Sequence, residues 1–444
     1  MRILIILWVF PLYLCSQIID FELQKSWSIT DVQDVYTFNA LPDYIGEINY
    51  EVDGYKISYM APNEEGDLVI NSGAIFLPVN ALCSSPMLSW QHGTIVSDLA
   101  APSENIDESI IGVVSASHGY VVVMSDYLGL GSGEGFHNYC HATTEASSVI
   151  NLIVEGLVFA ESQGVNTNSK IFLMGYSQGG HSTMASVRDI EQNWSDVLNI
   201  TASAPMAGPY SMSEAQTEML NVVYPNPGYF PYVIFAYQNV YNNIYEEVSD
   251  IFRPGFDNLL EMYDGTYSMN AINEEIWSIA NEIYGISQLE FTPLDMIKND
   301  YYENFINNLN HPFRLALEDN DLINFTPQSP MRLIHCSGDD NVPFENATMA
   351  FNNFSPLVSE DLVLLDGGDF DHSECALLSI ISAKIYFDTL ADFCSEVSLE
   401  NFYNVKNKVA TFDLLGRDVT SLKSKGIVLH IFDDGSIKKF YSID

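Results

Sequence analysis

The sequence predicts an α/β protein: a mostly parallel central sheet with helices on both faces, an inserted helical cap and a small β-rich tail. Three observations predict it. Short β-branched apolar runs alternate with stretches of helical periodicity. Several of those runs end in turns rich in Gly, Ser, Asp and His, where open α/β sheets place their ligands. Finally, 444 residues with 47% hydrophobic and 17% charged content suit one large folded domain with appendages.

The elements follow in chain order. "MRILIILWVFPLYLCSQ" has Arg2, then an apolar stretch too short to span a bilayer. It reads as a signal peptide cleaved after Ser16, and Leu14 is too bulky for Cys15 to serve as a lipid-anchored terminus. "INYEVDGYKISYMAP" and "DLVINSGAIFLP" alternate around "NEEG" as an antiparallel hairpin. "PMLSW" is a strand opening into Gln91-His92-Gly93-Thr94, and Tyr120 to Ser125 is a buried strand with a glycine-rich exit. A helix covers about Ala142 to Ser162, and Ile171 to Met174 is the next strand. "NITASAPMAGPY", "MRLIHCSGDDNVPF" and "DLVLLDGGDFDH" supply three more, and a last helix covers roughly Ser373 to Phe393. No segment after the first is long and apolar enough to cross a membrane.

The expected domains are a signal peptide over 1–16, a first core part over 17–207 and a cap over 208–326, placed between the sixth and seventh sheet units. A second core part over 327–396 and a tail over 400–444 follow. The cap stretch carries many aromatics, "GYFPYVIFAYQNVYNN" among them, and has no strand to extend the sheet. Most of those rings belong in its own core; a minority lining a cleft suffices for an apolar site.

Between the strand at Ile171 and the helix that follows stands "GYSQGGHS", a G-x-S-x-G turn of Gly175, Ser177 and Gly179. A serine on so sharp a turn projects its hydroxyl, while small neighbours admit close backbone. The pentapeptide alone also fits an ordinary glycine-rich turn, so the rest of the chain must decide. A serine needs a base to take its proton and an acid to orient that base, here in the chain order serine, acid, histidine. Of the histidines after Ser177, His181 begins the next helix, His311 is in the cap, His335 is inside a strand and His430 is in the tail. His372 alone stands where a base is needed. Asp339 is preferred over Asp340 as the acid, because it directly follows the glycine of the turn. Asp366, Asp369 and Asp371 solvate the histidine loop, with Asp369 or Asp371 able to tune the imidazole. Backbone N–H groups of Gln178, next after the serine, and of Thr94, after Gly93, are the expected oxyanion donors.

"QHGT", "GYVVVMSDYLGLG", "GYSQGG" and "HCSGDDNVPF" with a later "DH" resemble the α/β-hydrolase fold, and within it the secretory lipase family typified by yeast lipase A. The similarity covers roughly residues 46 to 395. It implies Ser177, Asp339 and His372 as a triad, a helical cap before the acid strand, carboxylic ester substrates and no cofactor. A serine peptidase of prolyl-oligopeptidase type is the runner-up, and a non-catalytic surface binder on the same scaffold is the non-enzymatic alternative.

The 17 basic and 59 acidic residues give a net charge of −42, and all of that excess lies before residue 401. Such a surface repels nucleic acid and anionic membranes and favours neutral substrates, so neutral esters with short to medium acyl chains are expected. His137 and His141 are four apart, yet structural roles outweigh metal ligation, and no metal is expected. Cys83–Cys394 and Cys336–Cys375 are the expected bridges, with Cys140 free. In the tail, "VATFDLLGRDV" and "GIVLHIFDDGSIKKFYSI" resemble the sorting domain of the Bacteroidota type IX secretion system, short of its usual Pro-Asn-Pro opening. That resemblance implies secretion machinery as a partner and a secreted or cell-surface location; a small β appendage on the enzyme is the alternative.

Overall fold

The computed structural model describes residues 17–358, 361–393, 408–413, 426–432 and 437–442. Nine strands form one sheet: β1 (Ile18–Trp27), β2 (Val52–Pro62), β3 (Leu68–Pro78), β4 (Ser85–Gln91), β5 (Val121–Ser125), β6 (Thr167–Tyr176), β7 (Ile200–Met206), β8 (Met331–His335) and β9 (Leu362–Asp366). Their spatial order is β1-β2-β3-β5-β4-β6-β7-β8-β9. The first three strands and β5 pair antiparallel, and from β5 to β9 every pairing is parallel. The expected mostly parallel sheet is present, with one strand more than the sequence reading foresaw. The strand that was missed is β1, an edge strand exposed along most of its length, whose alternating Ile19, Phe21 and Leu23 stay about half exposed instead of facing a core. The cap therefore lies between the seventh and eighth strands.

Both sheet faces are apolar because both are covered. In β6, Ile171 and Leu173 point to one apolar cluster while Phe172 and Met174 point to the other. β5 divides in the same way, with Val121 and Val123 on one side and Val122 and Met124 on the other. Helices α1 (Ile29–Phe38) and α2 (Ile110–Ser117) lie on the Phe172 side. Helices α3 (Ala142–Ser162) and α4 (Gln178–Asp189) pack on the Leu173 side. Contrary to the expectation of no spanning segment, α3 has the length and apolar composition to cross a bilayer, but it is packed within the core.

Between β7 and β8 the chain is helical: α5 (Tyr229–Tyr241), α6 (Val248–Ile251), α7 (Met269–Tyr284), α8 (Asn299–Asn307) and α9 (Pro312–Asp319). This stretch has its own core, built on Tyr232, Phe235, Phe252, Ile276 and Phe313. Two further helices complete the layers: α10 (Glu345–Phe354) on the α3 side and α11 (His372–Asp388) on the α1 side. In the tail, β10 (Lys408–Asp413), β11 (Gly426–Phe432) and β12 (Ile437–Ser442) form a separate antiparallel sheet.

Cys336 and Cys375 are joined, with Cα atoms 6.0 Å apart, and Cys140 is free and buried. Cys83 is disulfide-bonded, and its expected partner Cys394 lies outside the described residues, as does the expected signal peptide over 1–16.

Asp126, directly after β5, pins the central strands. Its carboxylate is fully buried and accepts from Ser72 Oγ at 2.6 Å, Ser103 Oγ at 2.5 Å and Ser103 N–H at 2.9 Å. Burial pushes this carboxyl up to about 6 despite those hydrogen bonds. The folded state thus holds the Asp126 proton more tightly than the unfolded chain. Its contribution to stability is complete below about pH 4 and lost as pH rises through about 6, on the order of 3 kcal/mol in total. Denaturant unfolding of wild type and Asp126→Asn at pH 4 and pH 7 should show the stability gap between the two changing by that order.

Candidate active site

The turn from β6 into α4 holds Ser177 at φ 62° and ψ −123°, a conformation that L-residues rarely adopt. Close packing enforces it. A Cβ on Gly179 would overlap the Gln91 carbonyl at the end of β4, and one on Gly180 would overlap the Met206 carbonyl at the end of β7. The Ser177 N–H donates to that Met206 carbonyl at 3.0 Å. The serine therefore stands proud of the carboxyl ends of three adjacent strands.

His372 opens α11, and its Nε2 lies 2.9 Å from Ser177 Oγ. Its Nδ1 lies 2.6 Å from Asp339 Oδ2. Residues 195 and 33 apart in sequence thus meet in one hydrogen-bonded line, in the order that the sequence implied. The Tyr176 hydroxyl donates to the His372 carbonyl at 2.7 Å, which braces the start of α11 against β6. Asp339 is buried, and its Oδ1 accepts from the Asn341 and Val342 N–H groups at 2.9 and 2.8 Å. Burial by itself would raise the Asp339 carboxyl; hydrogen bonds from His335 and His372 and their charges outweigh it and hold it well below the usual carboxylate range.

Asp340 is turned elsewhere: its Oδ1 accepts from Asn341 Nδ2 at 2.9 Å and from the His372 N–H at 3.3 Å. The other loop aspartates have local roles. Asp371 caps α11 by accepting from the Glu374 N–H, and Asp366 accepts from the Ser337 and Gly368 N–H groups. Asp369 packs against Gly338.

Gln178 is the first residue of α4, where a backbone N–H has no acceptor within the helix. The turn carrying Thr94 approaches from the other side: a Cβ on Gly93 would lie 3.4 Å from the Tyr176 carbonyl and 3.7 Å from Ser177 Cβ. Thr94 Oγ1 is 2.9 Å from the Tyr139 hydroxyl. A cleft of about 720 Å³, its open mouth included, leads from Ser177 and Gln178 beneath the helical stretch. Met212, Leu220, Phe230, Val233, Phe313 and Leu317 are among its walls, so it is mainly apolar.

A family model described as secretory lipase matches residues 95–211, a span that contains Ser177 and Gln178. The ligand-bound LipA of Xanthomonas oryzae, described as a rice cell wall degrading esterase, is 26% identical with a TM-score of 0.73, over 84% of this chain and 97% of that one. The chain is a carboxylic ester hydrolase.

A Legionella pneumophila chain is 24% identical with a TM-score of 0.75, over 85% of this chain and 99% of that one. Candida antarctica lipase A in its closed state is 14% identical at TM-score 0.60, over 84% and 81%. These last two likenesses speak for the fold alone, and the hydrolase has the α/β-hydrolase fold. No curated protein sequence matches it.

Sequence reasoning set His335 aside as a strand residue, yet it reaches Asp339. It is the last residue of β8, and its Nε2 lies 3.1 Å from Asp339 Oδ2 and 3.0 Å from the Val342 carbonyl. The four-residue spacing to Asp339 was the available signal, masked by an apolar strand that hides its final residue. His137 and His141 do not converge: His137 faces the Leu128 carbonyl and Gln178, while His141 faces Thr144. His311 caps α9 through a hydrogen bond from the Phe313 N–H.

Because Asp339 alone faces His372 Nδ1, Asp339→Asn should cut ester turnover on the order of 10⁴-fold by favouring the wrong imidazole tautomer. Asp340→Asn should cost less than about tenfold, since the amide oxygen can still accept both of its hydrogen bonds and neither reaches the His372 ring. Steady-state kcat/KM for both variants decides; the opposite ranking moves the acid by one residue.

Proposed function

We propose that the protein is a secreted serine esterase working through an acyl-enzyme, with Ser177 as nucleophile, His372 as general base and acid, and Asp339 as its orienting carboxylate. The observation that carries this is the line Ser177 Oγ–His372 Nε2–Asp339 Oδ2, at 2.9 and 2.6 Å across the two contacts with the imidazole. As Ser177 Oγ bonds to the ester carbonyl carbon, its proton passes to His372 Nε2. The carbonyl oxygen becomes an oxyanion, received by the Gln178 and Thr94 N–H groups. Collapse breaks the bond to the alkoxy group, which leaves as the alcohol with the proton from His372. Water then adds to the acyl-enzyme by the same route, releasing the carboxylic acid and restoring Ser177.

The helical stretch 208–326 acts as a cap that walls the acyl side. Its apolar lining and the strongly acidic chain favour neutral esters with short to medium acyl groups. The likeness to an esterase supports ester over peptide substrates. The signal segment 1–16 and the tail 400–444 support export, with the type IX machinery as the partner that reads the tail.

Ser177→Ala should fold normally and lose at least about 10⁴-fold in turnover, together with labelling by a fluorophosphonate. A p-nitrophenyl ester series assayed on wild type should peak at short to medium acyl chains. Wild-type turnover in a folded Ser177→Ala protein would remove the nucleophile assignment, and faster cleavage of charged peptides than of neutral esters would favour a peptidase.

A further inference from the structure

Behind the serine turn lies a buried polar cluster that the proton transfer does not use. Glu145, in the first turn of α3, is 1% exposed, and its two oxygens gather three donors. Oε1 accepts from the Cys140 N–H at 3.1 Å and from Gln178 Nε2 at 2.8 Å, and Oε2 accepts from His181 Nδ1 at 2.7 Å. Gln178 and His181 are the first and fourth residues of α4, neighbours on one helix face. One carboxylate thus grips the opening turn of the helix that begins at the serine.

The Gln178 amide is locked in one orientation. Its Nε2 also lies 2.8 Å from His137 Nε2, and His137 Nδ1 lies 3.0 Å from the Leu128 carbonyl. The Nδ1 must therefore carry the His137 proton, which leaves Nε2 as an acceptor. Burial pushes His137 down to about 3, so this neutral ring persists at working pH. A flipped Gln178 would set its carbonyl against two acceptors. The cap closes the same cluster: the Tyr237 hydroxyl donates to the Cys140 carbonyl at 3.0 Å, and the Asn320 carbonyl lies 3.3 Å from His181 Nε2. Cys140, Glu145 and His181 also carry ligand-type atoms within 4.8 Å of one another. With both Glu145 oxygens already facing protein N–H groups, the cluster is built to hold the turn.

We propose that Glu145 is a positioning residue for ester hydrolysis, holding residue 178 so that its backbone N–H meets the oxyanion. This rests on the oxyanion assignment above. Glu145→Met keeps the length and bulk but offers the three donors no oxygen. Its kcat on a p-nitrophenyl ester, per site titrated with fluorophosphonate, should fall about 10- to 100-fold with KM within about threefold. Glu145→Asp should recover more kcat than Glu145→Ala, because it restores the carboxylate. If Glu145→Met does not fold, Gln178→Met, which keeps the backbone N–H and loses the amide, should show the same kcat loss. Wild-type kcat per titrated site in either folded variant, even with a lowered Tm, overturns the proposal. Ser177→Ala run alongside separates the two readings: an active Ser177→Ala brings down the catalytic assignment itself. An inactive Ser177→Ala beside a fully active Glu145→Met removes only the role of Glu145.

Discussion

Ser177 can stand where it does only because three strands, a helix and the turn after β4 meet with almost no space between their backbones. Its left-handed backbone costs on the order of 1–3 kcal/mol and persists where the surroundings over-determine it. Here they do so through the hydrogen bond to Met206 and through Gly175, Gly179 and Gly180, where a methyl group would collide with the chains of β4, α4 or β7. The same crowding brings Gly93 against the serine. The serine turn and the Gly93–Thr94 turn are consequences of one close approach.

The other half of the site is tied together by different means. The disulfide joins Cys336, just past β8, to Cys375, one turn into α11. It therefore spans the two loops that carry Asp339 and His372. Asp339 adds the electrostatic tie, since one oxygen faces both His335 and His372 while the other takes two backbone N–H groups. A carboxylate so supplied with donors stays ionised despite its burial and favours a positive imidazole beside it.

Charge and polarity are segregated across the molecule. The net −42 resides on a chain whose cleft walls are mainly apolar, so a neutral substrate meets little opposition inside while a carboxylate product is repelled once outside. The buried polar groups near the serine are not scattered. They form two hydrogen-bonded trios on two faces of the turn, His372–Asp339–His335 on one and Glu145–His181–Gln178 on the other, with Gln178 Oε1 and His335 Nδ1 left buried without a partner.

The sequence by itself determined the alternating strands and helices, the serine turn, and the order serine, acid, histidine. Those features are local: period-2 apolar runs, glycines at a sharp turn, and residues at strand ends can be read within a few positions. It also pointed to the pairing of Cys336 with Cys375, because both flank loops at one end of the sheet. Only the tertiary structure decided what depends on packing between distant segments. β1 gains its place by pairing with β2; its Ile19, Phe21 and Leu23 alternate with polar residues but stay about half exposed, so the pattern does not mark a buried face. His335 looked like one more strand residue until the loop carrying Asp339 folded back onto it. Glu145 has no signal in its own stretch, because its partners Gln178 and His181 stand 33 and 36 residues away on α4. A buried carboxylate is stable only where such donors converge, and convergence is a property of the folded chain, not of any stretch of it.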